Sequence, residues 1–214
     1  MSRHSAKPAR PDPNDRAEGA KARGPAPPGH KRERILEAAL RVFASKGFFG
    51  AKVADIAAEA GVADGTIYLY FKSKDDLLIS LFEHQMQLVN EALVLAMAGA
   101  ETATDKLARF AQTYVALVEN HPQAAEVITV ELRQSAKFMK EYKNPRFAEF
   151  LKILAGVIED GQRRGEFAND IPAPVCARAL FGMLDELALM WVTGKSEHMA
   201  LENVSGWVCR LVSK

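Results

Sequence analysis

The chain has 214 residues, 48% hydrophobic and 26% charged, with a net charge of +1 at pH 7. That apolar supply is enough for a good core, no apolar run reaches ~18 residues, and the start carries charge and proline; a membrane span and a secretory signal are therefore not expected. Cys176 and Cys209 sit in helical patterns and read as buried free thiols of a cytosolic protein.

Residues 1–30 are rich in Pro, Ala, Gly and charge, including PAPP ending at Pro28. Too little apolar surface is present to offset ordering entropy, so a disordered tail is expected. It holds Arg3, Lys7, Arg10, Arg16, Lys21 and Arg23 against Asp12, Asp15 and Glu18, a net +3, whereas residues 31–83 hold eight charges of each sign. Such a tail serves either as a salt-sensitive nucleic-acid supplement or as a plain solubilising segment.

From Lys31 to Lys46, Ile35, Ala39, Val42 and Phe43 make an amphipathic helix ended by Gly47. Phe48 and Phe49 follow and are expected in the core, since two exposed neighbouring rings are unfavourable. The stretch 52–74, KVADIAAEAGVADGTIYLYFKSK, then places Val53, Ile56, Ala57 and Ala60 on one helical face. Gly61 breaks that helix, Val62 dips back, and Asp64 is the expected cap of a second helix. Ile67 and Phe71, four apart, point inward and leave Gly65, Thr66, Tyr68 and Tyr70 outward, followed by Lys72 and Lys74. Two short helices joined by a tight glycine turn are a helix-turn-helix, whose second helix can enter a DNA major groove.

Ser73 with Asp76 three residues on forms a capping box that starts a long helix to about Met97. The rest of the chain reads as helices with no strand pattern. One runs from Asp105 to Glu119; Pro122 opens another to about Lys140; Pro145 opens a third, closed near Gly165. A strongly apolar helix spans Val175 to Val192, ended by Gly194, and Ser196 caps a last one with Met199, Val204, Trp207, Val208 and Leu211. Glu131, Arg133, Gln134, Asp185 and Glu186 stand inside otherwise apolar helices. Buried charges need partners, so Arg133 is expected to pair with one of the three carboxylates, as a structural ion pair or as a polar anchor in a ligand cavity. His84, His121 and His198 occur singly, with no HExxH, CxxC or nucleophile-elbow pattern, so no catalytic residue and no metal site is assigned.

The segment AGVADGTIYLYFKSKDDLL resembles the helix-turn-helix of the TetR family of bacterial repressors across its whole length. The resemblance implies an all-α fold: a disordered tail (1–30), a three-helix DNA-binding head (31–76) and a helical ligand-binding and dimerisation body (77–214). Phosphate contacts would fall to Thr66, Tyr68, Tyr70 and Lys74, with Ala63 to Thr66, including Gly65, approaching the bases. The family usually carries a hydroxyl near position 52 or 53; this chain has Lys52 and Val53, so Lys52 would replace that contact with a charge. The last two helices would form a four-helix bundle with a second copy, and a two-fold homodimer suits a palindromic operator on double-stranded DNA. A monomer that buries both apolar stripes internally is the alternative.

VITVELRQS (127–135) and ALFGMLDELALMWV (179–192) are further similar to the FadR-type subgroup, which implies a cytoplasmic, nucleoid-associated repressor of fatty-acid degradation genes released by long-chain acyl-CoA. The acyl chain would lie near Phe110, Tyr114, Leu132, Leu154 and Trp191, with Arg133 as polar anchor. Lys106, Arg109, Arg163 and Arg164 are candidates for the CoA phosphates by charge alone. No cofactor is implied beyond this effector. A repressor of an efflux operon sensing another apolar ligand, and a ligand-free DNA-bound scaffold, are the competing readings.

Overall fold

The structure, a computed structural model, describes residues 28–194 and 203–213. The expected tail up to residue 27 lies outside them, and so do Ser196 and Met199. Among the described residues every regular element is helical: α1 (Pro28–Gly50), α2 (Val53–Ala60), α3 (Asp64–Tyr68), α4 (Lys74–Met97), α5 (Ala103–Asn120), α6 (Pro122–Thr129), a 3₁₀ turn (Glu131–Gln134), α7 (Ala136–Glu141), α8 (Pro145–Arg164), α9 (Ala173–Val192) and α10 (Val204–Val212).

The first three helices close on one apolar centre. Ile35, Ala39 and Phe43 from α1, Ile56 and Ala57 from α2, Ile67 from α3 and Phe71 are almost wholly buried. Gly61 takes the left-handed conformation (φ 64, ψ 42) that ends α2, and the Val62 N–H donates back to the Ala57 carbonyl at 3.0 Å. Two expectations need correction. Ala63, not Asp64, caps α3, and Asp64 occupies its first turn, where a carboxylate favours the helix's positive end. Phe48 is buried, but Phe49 is 73% exposed; α1 leaves helical geometry at Gly47 (φ 69, ψ 167) before running on to Gly50, and that short extension buries only one of two adjacent rings.

In the rest of the chain, α5 packs against α4, α8 and α10, and α8 pairs with α9. Ser73 caps α4, its Oγ accepting from the Asp76 N–H at 3.1 Å. The continuous helix expected from Pro122 to Lys140 is not formed. After the β-branched run Val127 to Val130, which lowers helix propensity, the chain tightens into the 3₁₀ turn. Ser135 then takes extended geometry and caps α7 through the Phe138 N–H at 3.2 Å. Cys176 and Cys209 are free and half-buried rather than buried, and burial raises both thiol pKa values.

Candidate DNA-reading surface and ligand cavity

The exposed side of α3 carries Ala63, Asp64, Gly65, Tyr68 and Leu69, with Thr66 and Tyr70 half-buried beside them. Behind it, the clamp of α1 on α2 is polar: the Arg34 Nη2 donates to the Ala60 carbonyl at 2.6 Å, and Arg41 pairs with Glu59 at 2.6 Å. Lys52 is exposed at the start of α2, where its N–H donates to Asp55 at 3.1 Å. Lys74 is half-buried at the start of α4. Its Nζ donates to the carbonyls of Phe48 at 2.7 Å and Ala51 at 3.1 Å and lies 4.6 Å from the centre of the Phe48 ring. The ammonium therefore ties α4 to the end of α1 and keeps one proton uncommitted.

Sequence reasoning missed Leu69, 82% exposed. A signal existed: Leu69 lies off the Ile67 to Phe71 stripe, so an apolar side chain there has no core to enter.

A cavity of about 730 Å³ opens among α4 to α9. It is mostly apolar, walled by Phe82, Met86 and Val89 of α4, Tyr114 and Leu117 of α5, Ile128 of α6, Leu132 of the 3₁₀ turn, and Phe147, Phe150 and Phe181 from α8 and α9. The Phe147 and Phe181 rings meet edge-on at 4.5 Å, and Phe150 lies 5.6 Å from Phe181. A volume of that size falls within the ~300–1,000 Å³ range of small-molecule pockets.

The wall also carries polar residues, among them Gln85, His121, Thr129, Arg133, Asn144 and Asp185. Arg133 donates to Asp185, which supplies the pairing expected for it. Burial above all raises the Asp185 pKa, with Glu186 adding to it and Arg133 opposing it, and burial raises the Tyr114 phenol as well. Because the Arg133 side chain is nearly half exposed, the pair is of surface type and contributes only about 0–1 kcal/mol. Gln134 and Glu186 are exposed and join neither the wall nor the pair.

The 3₁₀ turn that carries Leu132 and Arg133 also reaches the first helices. Its Glu131 Oε2 accepts from the Phe48 N–H at 2.5 Å, beside Gly47, where an added Cβ would meet that carboxylate at 3.4 Å. Four residues on, the buried Ser135 donates to the Asp75 carboxylate at 2.6 Å, in the first turn of α4. One short segment thus faces the cavity with its middle and holds the reading unit with both ends.

Residues 35–81 match the family model described as bacterial regulatory proteins, TetR family, and residues 82–214 match the YsiA-like protein C-terminal region. The chain belongs to the TetR family of bacterial transcriptional regulators. It is 36% identical over 171 residues to the fatty acid metabolism regulator protein of Bacillus subtilis, covering 79% of this chain and 88% of that one. The crystal structure of FadR from Bacillus subtilis in complex with stearoyl-CoA superposes with a TM-score of 0.77 at 34% identity, over 85% of this chain and 97% of the other. The fatty acid degradation regulator FadR of Bacillus halodurans gives 0.75 at 31% identity, over 84% and 96%. These relatives of the TetR-family chain are regulators rather than enzymes.

Within this TetR-family body, Tyr114, Leu132 and Arg133 line the cavity, and Phe110, Leu154 and Trp191 stand outside its lining. Phe110 stands one ring behind the wall, 5.4 Å from Phe150, and Leu154 is packed in the core. Trp191 is 36% exposed near the end of α9. The four cations picked by charge are also elsewhere. Lys106, Arg163 and Arg164 converge on Asp160, and Arg109 pairs with Asp105. Hydrogen bonds from Arg163 above all, then Lys106, hold the Asp160 pKa down. No group of three His, Cys, Asp or Glu among the described residues could hold a metal, and no described helix is long and apolar enough to cross a membrane.

Proposed function

We propose that the chain is a dimeric repressor of fatty-acid degradation genes that leaves its palindromic operator when a long-chain acyl-CoA fills the cavity. It works in the cytoplasm, at the nucleoid, with a DNA-reading unit over 31–76 and a ligand-binding and dimerisation unit over 77–214. The observation that carries the reading is the 3₁₀ turn: Leu132 and Arg133 form part of the cavity wall while Glu131 and Ser135 hold Phe48 and Asp75. A ligand that presses on Leu132 or draws Arg133 from Asp185 shifts the turn, and the weak exposed pair yields before the two attachments do. Tyr114, Arg133 and Asp185 are among the polar groups available to the thioester end, in a lining that is mostly apolar and suited to an alkyl chain.

On the DNA side, Gly65 lets the backbone approach the groove, Ala63 faces the bases, and Thr66, Tyr68 and Tyr70 offer hydroxyls to phosphate. Lys52 adds a phosphate contact, and Lys74 adds one through its uncommitted proton. Leu69 offers an apolar contact of the kind a thymine methyl accepts. The exposed apolar residues Val175, Trp191, Trp207 and Leu211 of α9 and α10 supply the face for a second copy. An open apolar cavity favours a sensor over a ligand-free scaffold.

Operator fragments selected from genomic DNA by the purified protein, then followed by fluorescence polarisation, test this. Near-stoichiometric stearoyl-CoA is expected to release the DNA while CoA alone does not. DNA retained at saturating acyl-CoA overturns the proposal.

A further inference from the structure

One side of α9 packs into the body, where Ala173, Ala177, Leu180, Leu184 and Ala188 are buried. The opposite side carries Val175, Arg178, Ala179, Gly182, Glu186 and Leu189, all exposed except the half-buried Leu189. With 3.6 residues to a turn, these six fall within about 60° of Gly182 around the helix.

Two charges on that side have no counterpart at home. Neither Arg178 nor Glu186 has an ion-pair partner among the described residues, whereas Asp185, beside Glu186, is engaged by Arg133. Gly182 is equally unexplained by the chain's own packing: a Cβ added there would meet nothing within 4 Å, although glycine weakens a helix interior. The spacing is symmetric about that glycine. Arg178 lies four residues before it and Glu186 four after; Val175 lies seven before and Leu189 seven after. Laid antiparallel on a copy of itself, the face sets each charge against the opposite charge, aliphatic against aliphatic and glycine against glycine. Laid parallel, it sets Arg178 against Arg178 and Glu186 against Glu186.

We propose that α9 meets the same helix of a second copy antiparallel and crosses it at Gly182, with Arg178 of each copy paired to Glu186 of the other. A two-fold axis through the crossing point makes both pairs at once. The bare glycine backbone lets the helix axes approach the ~8 Å end of the packing range, which brings side chains one turn to either side within reach. Charges so placed reject wrong partners and fix register more than they add affinity, because a chain with another residue at either position leaves a charge unpaired. The pairing therefore selects a second copy of this chain over other chains with a similar apolar face. It rests on the dimeric reading of the protein.

Sedimentation of the full chain across a dilution series tests the pairing through the dimer dissociation constant. Arg178→Glu alone and Glu186→Arg alone each set like charges opposite one another at two places, and each is expected to weaken the dimer by about tenfold or more, less so as salt rises. Both positions are exposed, so helix content by circular dichroism should match wild type. The double variant Arg178→Glu with Glu186→Arg should return to within about threefold of wild type, and an equimolar mixture of the two single variants should form a mixed dimer of similar strength. Single variants that dimerise like wild type, or a double variant that stays dissociated, overturn the cross-pairing and leave the dimer standing. Wild type that stays monomeric throughout the series overturns both.

Discussion

Beneath the reading surface, Phe43, Ile56, Ile67 and Phe71 fill the space with almost no exposure, whereas the body keeps about 730 Å³ open between α4 and α9. The cavity takes a single residue, Leu40, from the first three helices. A close-packed unit moves as one piece when pushed, because it has no slack in which to absorb a displacement. A hollow one has forfeited contacts along its walls, and those contacts return only when something occupies it. The difference assigns the rigid role to the reader and the yielding role to the sensor.

Deleting a ring in each region tests that contrast most directly. Phe43→Ala is expected to destabilise by about 3–5 kcal/mol, since a new void opens in a filled core. Phe147→Ala, which enlarges an existing void, is expected to cost well under half of that by urea denaturation; equal losses would erase the distinction.

Tyr68→Ala addresses function on the rigid side. Tyr68 is 58% exposed, so stability should stay within about 0.5 kcal/mol while operator affinity drops about 10–100-fold. A large fall in melting temperature instead would make Tyr68 a structural residue. At the seam, Glu131→Gln weakens the bond to the Phe48 N–H but leaves the cavity wall intact. Acyl-CoA affinity should stay within about twofold while the ligand's effect on DNA binding shrinks by about fivefold or more. Unchanged release would remove this contact from the coupling.

The smallest effect concerns Asp185. Its folded pKa lies above the ordinary value, so its contribution to stability is fully present below the unfolded pKa and is lost as pH rises through the folded one. Asp185→Asn is therefore expected to raise the melting temperature slightly at pH 7, with the gain shrinking toward about pH 4, where about half of unfolded-state aspartates are protonated, and vanishing below that. A loss at pH 7 would mean that the bond to Arg133 outweighs burial.

What could be read from the sequence was what local rules decide. Gly61, Ser73, Pro122, Pro145 and Gly165 mark helix ends in the structure because capping and left-handed geometry act within a few residues. The pairing of Arg133 was legible as well, since a charge in an apolar run demands a partner. The break at Val130 was not, although the β-branched run and Ser135 carried the signal; the apolar spacing from Val127 to Phe138 fits a continuous helix until Ser135 finds Asp75, a residue 60 positions away. The same limit applies to the cavity. The resemblance pointed to Phe110, Leu154 and Tyr114 together, but which inward residue meets a void depends on how the helices α4 to α9 cross.

The break between α6 and α7 has a further consequence. Binding free energies at two sites joined by one element are reciprocal, so whatever factor the ligand takes from operator affinity, the operator takes from ligand affinity. Repressor seated on its operator will then respond at a higher effector concentration than repressor free in solution, and the ratio of the two thresholds measures the strain that one four-residue turn can carry.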